Sequence, residues 1–225
     1  MIRFMQRTDI DWATHKWNPC TGCEGPANDG KPCSYCYANR IATRFAGSKA
    51  FPNGFAPTFH PERLEERPPR EPGARIFVGS MTDMGAPWCH EWLLQTLEVV
   101  RRYPQHTFIY LTKQPSGFAG IEWPGNCWVG VTMEQYRWNT SWEFAGVRAR
   151  VRFVSYEPLL GKMVAPAWID WVIVGAQTGP GAIAPKGEWI EAAEQYARDY
   201  QIPLFMKSSL RPYWDGEWRQ EYPRV

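Results

Sequence analysis

The chain reads as an α/β protein whose strands run parallel in a partial or complete (β/α) barrel of the TIM-barrel type, and three observations predict this. Short apolar runs recur along the chain, and amphipathic helical stretches fit between most of them. A cluster of cysteines follows the first strand, where such barrels carry their reactive loops.

Six runs give the strand signal: Arg75–Ser80, Thr107–Thr112, Cys127–Thr132, Val151–Ser155, Trp171–Gly175 and Pro203–Lys207. Each is rich in β-branched and aromatic residues without polar alternation, which suits strands buried on both faces. The stretch before the cysteines adds one more, for roughly seven strands in all. Between them, His90–Tyr103 carries Leu93, Leu94, Leu97 and Val100 at helical spacing, and Glu188–Tyr200 carries Ile190, Ala193, Tyr196 and Ala197 likewise. Strand–helix alternation implies parallel strands joined by right-handed crossovers, with an open doubly wound sheet as the competing arrangement. Pro57, Pro61, Pro68 and Pro69 mark 52–72 as a long loop. No repeat or linker divides the sequence, so 1–225 reads as one domain.

Composition excludes some functions and leaves others open. With 225 residues, 44% of them hydrophobic, the chain can bury one substantial core. The formal net charge of +2 neither demands nor excludes a nucleic-acid partner. No apolar run reaches membrane-spanning or signal-peptide length, which predicts a soluble, cytoplasmic protein without a membrane partner. Thirteen tryptophans are many for this length. Bases can stack on such rings, but most are expected to pack the core.

The cysteines concentrate the chemistry. Cys20, Cys23, Cys33 and Cys36 form two CxxC pairs, a spacing that fits a tetrahedral zinc site. Cys23, Cys33 and Cys36 alone would instead hold an iron-sulfur cluster with one iron left open for S-adenosylmethionine, and Cys33-Ser34-Tyr35-Cys36 has the aromatic residue of a CxΦC ending, although nine residues separate Cys23 from Cys33 where three are usual in radical S-adenosylmethionine enzymes. Clustered cysteines in a cytosolic chain favour metal over disulfides. Cys89 and Cys127 stand apart and are expected to be buried.

Strand ends supply the remaining polar candidates: Ser80, Thr82 and Asp83; Lys113; Thr132 and Glu134; Tyr156 and Glu157; Gln177 and Thr178; Lys207 and Ser208. Any one of them alone reads as a solvated loop residue, whereas six strand ends together point to a site on one rim. The loop Gly175-Ala176-Gln177-Thr178-Gly179-Pro180-Gly181 allows close backbone approach to a ligand, although it is neither a GxGxxG nor a P-loop.

Several stretches carry a resemblance as a set. They are Trp17-Asn18-Pro19, Cys33-Ser34-Tyr35-Cys36-Tyr37-Ala38, His60-Pro61-Glu62-Arg63-Leu64, Ile76 to Asp83, Leu111-Thr112-Lys113, Val151 to Gly161 and Trp171 to Gly175. From about Asp11 to Lys207 the chain resembles the three-Cys-motif phage protein family, which is related to radical S-adenosylmethionine enzymes. The resemblance implies a partial α/β barrel and a 4Fe-4S cluster on Cys23, Cys33 and Cys36, with Cys20 an addition. It departs from the family at Gly175-Ala176-Gln177-Thr178-Gly179, where Gly-Gly-Glu-Ser-Gly is usual, and at Ile183, which takes the place of an arginine.

On this basis the expected function is that of a radical S-adenosylmethionine enzyme. The cofactor contacts are assigned to Tyr35 and Gly175 and Gln177 near the adenine, to Ser80, Thr82 and Asp83 at the methionine amino end, and to Thr132 and Glu134 at the ribose. Lys113, Glu157 and Lys207 are the candidate catalytic residues, facing substrate or the cofactor carboxylate. The implied substrate is a base or nucleotide, for instance in rearrangement or repair of a modified thymidine in phage or cellular DNA, with a flavodoxin or ferredoxin as electron donor. Arg40, Arg44, Arg101, Arg102, Arg137, Arg148 and Arg150 are candidate phosphate contacts. The alternative is a zinc-stapled nucleic-acid-binding protein without catalysis.

Overall fold

The structure, a computed structural model, describes residues 3–25, 30–134, 143–164 and 168–224. Among the described residues ten strands form: β1 Gln6–Arg7, β2 His15–Trp17, β3 Cys20–Thr21, β4 Thr58–Phe59, β5 Arg75–Val78, β6 Thr107–Thr112, β7 Cys127–Met133, β8 Val151–Tyr156, β9 Trp171–Val174 and β10 Leu204–Met206. Among the described residues the longer helices are α1 Tyr37–Arg44, α2 His90–Val100 and α3 Gly187–Asp199. β2 and β5 through β10 pair in parallel, β1 adds an antiparallel edge, and β3 with β4 makes a separate ribbon. Among the described residues no helix is long and apolar enough to cross a membrane.

Every long strand is apolar on both faces because each face meets a different core. Ile76, Val78, Phe108, Tyr110, Val129, Val131, Val154, Val172 and Met206 pack outward, in one cluster with Leu93 and Leu97 of α2 and Ile190 and Ala193 of α3. The alternate residues Phe77, Ile109, Trp128, Phe153, Trp171, Ile173 and Phe205 point inward and form a second cluster with Trp12. At Gly130 a Cβ would lie 2.4 Å from the Phe153 ring, so the inner cluster needs a glycine there. None of the eleven described tryptophans is exposed, in line with packing as their main role.

The inner cluster curls the sheet, but the sheet does not close. The outer edge of β2 is taken by β1. The outer edge of β10 is taken by the C-terminal segment, where Met206 N–H donates to Arg219 O at 2.8 Å and Glu221 N–H donates to Leu204 O at 3.0 Å. With both edges occupied, β2 and β10 have no free backbone with which to pair, so a complete barrel does not form. Side chains fill the seam instead. Trp12 packs on Phe77 at 4.7 Å and edge-on to Trp171 at 6.5 Å, and Tyr222 lies 5.6 Å from Trp171 under the Arg75 guanidinium. Ser208 N–H donates to Asp11 Oδ2 at 2.6 Å across the same seam.

Candidate active site

Above the inner cluster, at the C-terminal ends of the parallel strands, lies a cavity of about 280 Å³. Cys23, Cys33 and Cys36 line it together with residues from six strand ends. Cys36 is the N-cap of α1, and its Sγ accepts the Asn39 N–H at 3.3 Å. Cys23 Sγ accepts the Gly25 N–H at 3.2 Å. Gly22, at φ +86°, makes the preceding turn where a Cβ would lie 2.2 Å from the Ala56 carbonyl oxygen. The loop is further held by Cys23 N–H to Phe55 O at 3.0 Å and Thr82 Oγ1 to Gly22 O at 2.6 Å.

Burial pushes the Cys23 thiol up to about 12, against the Gly25 N–H and with the help of nearby Asp83, Cys36 and Cys33. Burial also raises Cys36, opposed by the N–H groups of Asn39 and Ala38. The three cysteines share the cavity wall. Among the described residues, however, no three His, Cys, Asp or Glu side chains converge on a single-ion coordination sphere. Cys20 faces elsewhere. It is fully buried in the outer core, where hydrogen bonding with Cys89 and burial raise its thiol. Cys89 and Cys127 are both buried, as expected from the sequence.

The polar candidates divide into clamps and rim residues. Ser80 Oγ donates to Asn18 Oδ1 at 3.1 Å, and Met81 N–H donates to the same oxygen at 3.2 Å. Asp83 accepts the Thr112 hydroxyl, the Gly85 N–H at 3.1 Å and the Lys113 N–H at 3.0 Å. Burial raises its pKa against these three donors. Ser80, Thr82 and Asp83 therefore line the cavity while their polar atoms tie the loop after β5 to Asn18, to Gly22 and to the end of β6 respectively.

At the rim, Lys113 Nζ pairs with Glu134 Oε1 at 2.7 Å, and both groups bond the Tyr35 hydroxyl. Burial, then Glu134, holds the Tyr35 phenol well above its ordinary range. Lys207 pairs with Glu157, and a Cβ on Gly175 would sit 3.0 Å from Lys207 Cδ. Tyr35, Thr132, Lys113, Glu157, Gln177 and Lys207 line the cavity; Glu134 and Gly175 only touch residues that do. The candidate arginines are not brought together. Arg40 reaches the loop at Gly179, Arg101 and Arg150 line a hollow at the opposite end of the strands, and Arg137 lies outside the described residues.

Sequence reasoning missed Asn18, Trp12 and Ser155. Asn18 stood within the Trp17-Asn18-Pro19 phrase, but nothing in the sequence showed that it would clamp Ser80. Trp12 and Ser155 both line the cavity, and Trp12 Nε1 and Ser155 Oγ are buried with no hydrogen-bond partner among the described residues. Ser155 sat inside an apolar run, and its inward orientation follows from strand alternation within β8.

Comparison with curated proteins and with solved structures finds no match. Residues 7–222 match the family described as Protein of unknown function (DUF5131). That span holds the cysteine loop and all the parallel strands, and the chain belongs to this family.

Proposed function

We propose that the protein is a radical S-adenosylmethionine enzyme built on a partial (β/α) barrel, cytoplasmic, and akin to the three-Cys-motif phage proteins. One observation carries this reading: three cysteines, without Cys20, share the wall of one cavity at the C-terminal ends of parallel strands. The donor set fits a 4Fe-4S cluster. The three cysteines share one cavity wall without converging on a single ion as a mononuclear zinc site requires, and two of the sulfurs accept backbone N–H bonds of the kind that tune cluster thiolates. The zinc-staple alternative loses its fourth ligand, since Cys20 is committed to the core beside Cys89.

Cys23, Cys33 and Cys36 would hold the cluster. When bound, the cluster and S-adenosylmethionine supply one-electron sulfonium cleavage and a deoxyadenosyl radical for hydrogen abstraction, with a flavodoxin or ferredoxin as donor. The protein's own residues bind and orient. Lys113, Lys207 and Glu157 present two cations and a carboxylate to a zwitterionic or anionic ligand at the rim, with Glu134 behind Lys113 as its ion-pair partner. Thr132 and Gln177 offer neutral hydrogen bonds from neighbouring strand ends. Asp83, Ser80 and Thr82 keep the loop in place, and Trp12, Phe77 and Leu111 form the apolar floor that excludes water. A nucleotide, free or in DNA, is the substrate class, with Arg40 the candidate arginine nearest the cavity loops.

The test is reductive cleavage of S-adenosylmethionine by anaerobically purified protein. Deoxyadenosine formation that is lost in Cys23→Ala, Cys33→Ala and Cys36→Ala but kept in Cys20→Ala is the expected result. No cleavage by iron-reconstituted protein sinks the reading.

A further inference from the structure

The mouth of the cavity carries a cation that the ion pairs of the wall do not engage. Lys113 and Lys207 are each held by a carboxylate, whereas the exposed Arg40 forms no ion pair among the described residues. Its guanidinium crosses from α1 to the loop after β9, where a Cβ on Gly179 would lie 3.0 Å from Nη1 and 3.5 Å from Nη2. Both elements start in the cavity wall, α1 with Tyr37 and the loop with Gln177 and Thr178. Neither brings a carboxylate, since 30–61 and 171–187 contain no Asp or Glu. Glu157, which reaches the start of the loop at Gly175, is taken by Lys207. The loop closes on itself: Ile183 N–H donates to Gln177 Oε1 at 3.1 Å and Ala182 N–H to Gly179 O at 3.2 Å, with Gly179 at φ +98° and Gly181 at φ +73°. Thr178, Gly179 and Gly181 are exposed, and their N–H groups have no acceptor among the described residues.

We propose that Arg40 and the loop 177–181 form a subsite at the cavity mouth for the phosphate group of an ester whose remainder enters the cavity. An exposed arginine by itself is an ordinary surface charge. Here it lies against a turn with positive-φ glycines and open backbone donors, a combination that binds anions. A phosphate suits it better than a carboxylate, because two of its oxygens can meet the guanidinium fork while a third takes an N–H of the loop. Gln177 accepts the Ile183 N–H as a carboxylate would, but without a charge that would neutralise Arg40. The inference rests on the cavity being the substrate site, as proposed above, and not on a cluster.

The test follows the Thr178 and Gly179 amide signals of the full chain, ¹⁵N-labelled, reduced and metal-free. Inorganic phosphate is added to millimolar concentration at constant ionic strength, with chloride and acetate as comparisons. Both amides are expected to shift saturably with phosphate alone. Arg40→Gln should weaken phosphate about five- to tenfold, and Arg40→Lys less, since an ammonium keeps the charge but not the fork. Gln177→Glu should weaken it about threefold or more while leaving the Ile183 amide, which reports loop closure, in place. Adenosine monophosphate and a dinucleotide then separate the sources of the group: tighter binding of the first assigns a free nucleotide or other monoester, tighter binding of the second a polynucleotide strand. Amides unmoved by phosphate, shifts reproduced by chloride or acetate, or undiminished binding in Arg40→Gln overturn the subsite. Phosphate binding by protein that never assembles a cluster defeats only the reading of the thiols, and S-adenosylmethionine cleavage without phosphate binding defeats only the subsite.

Discussion

Thr82 Oγ1 donates to the Gly22 carbonyl at 2.6 Å, while Gly22 N–H donates to Met81 O at 2.9 Å, so the β5 loop and the turn before Cys23 hold each other. The position of Cys23, a proposed cluster ligand, thus depends on a hydroxyl two strands away in sequence. Thr82→Val should cost about 1 kcal/mol, or roughly 2–4 °C in melting temperature at this chain length. It should also reduce the iron retained after gel filtration. Thr82→Ser should restore both, and thermal denaturation with iron analysis checks the pair.

Cys20 and Cys36 should separate cleanly. Cys20→Ala removes a buried thiol from the outer core and is expected to destabilise by about 1 kcal/mol with metal content unchanged. Cys36→Ala removes both a proposed ligand and the N-cap of α1, so it should lose metal and cost a further ~1 kcal/mol of helix stability. Metal analysis and urea unfolding of both variants decide this.

Metal-free protein should weaken in base. Cys23 is pushed up to about 12 from an ordinary 9.0, and Cys36 shifts the same way. Between pH 9 and about 12 the unfolded chain therefore binds fewer thiol protons than the folded one, so stability falls as pH rises through that window. Below pH 9 both states are protonated and this contribution is flat. Urea midpoints across the range test the sign. Cys23→Ser should flatten the slope, and a slope that Cys23→Ser leaves unchanged would refute the assignment.

Gly130 is where the inner cluster is tightest. Gly130→Ala sets a methyl 2.4 Å from the Phe153 ring and should cost about 1–3 kcal/mol. Combined with Phe153→Leu, it should cost clearly less than the sum of the two single changes, because the smaller side chain vacates the space. A double-mutant cycle in urea measures the coupling.

The strands were legible because two-sided burial leaves an apolar run. The six expected runs became β5 through β10, with ends shifted by at most a few residues, and the two periodic stretches became α2 and α3. α1 was not legible, since Tyr37-Ala38-Asn39-Arg40-Ile41 keeps Tyr37, Ile41 and Phe45 on the exposed face and buries only alanines. β4 hid inside the proline-rich loop, because two residues paired to β3 leave no periodic signal. The closed barrel failed for a reason no run of residues displays: the segment 219–221 occupies the edge of β10. At the site, strand-end position brought most polar candidates to one cavity, but whether each faces a ligand or clamps a loop depends on partners distant in sequence. Asp83 shows this, with Thr112 and Lys113 about thirty positions away.

Cys23, Cys33 and Cys36 are proposed to form one polynuclear metal site without Cys20. The most direct measurement is iron, acid-labile sulfide and zinc stoichiometry on anaerobically reconstituted protein, in wild type and in Cys20→Ala. About four iron and four sulfide per chain are expected in both, with zinc negligible. One zinc per chain without sulfide, lost in Cys20→Ala, would contradict it.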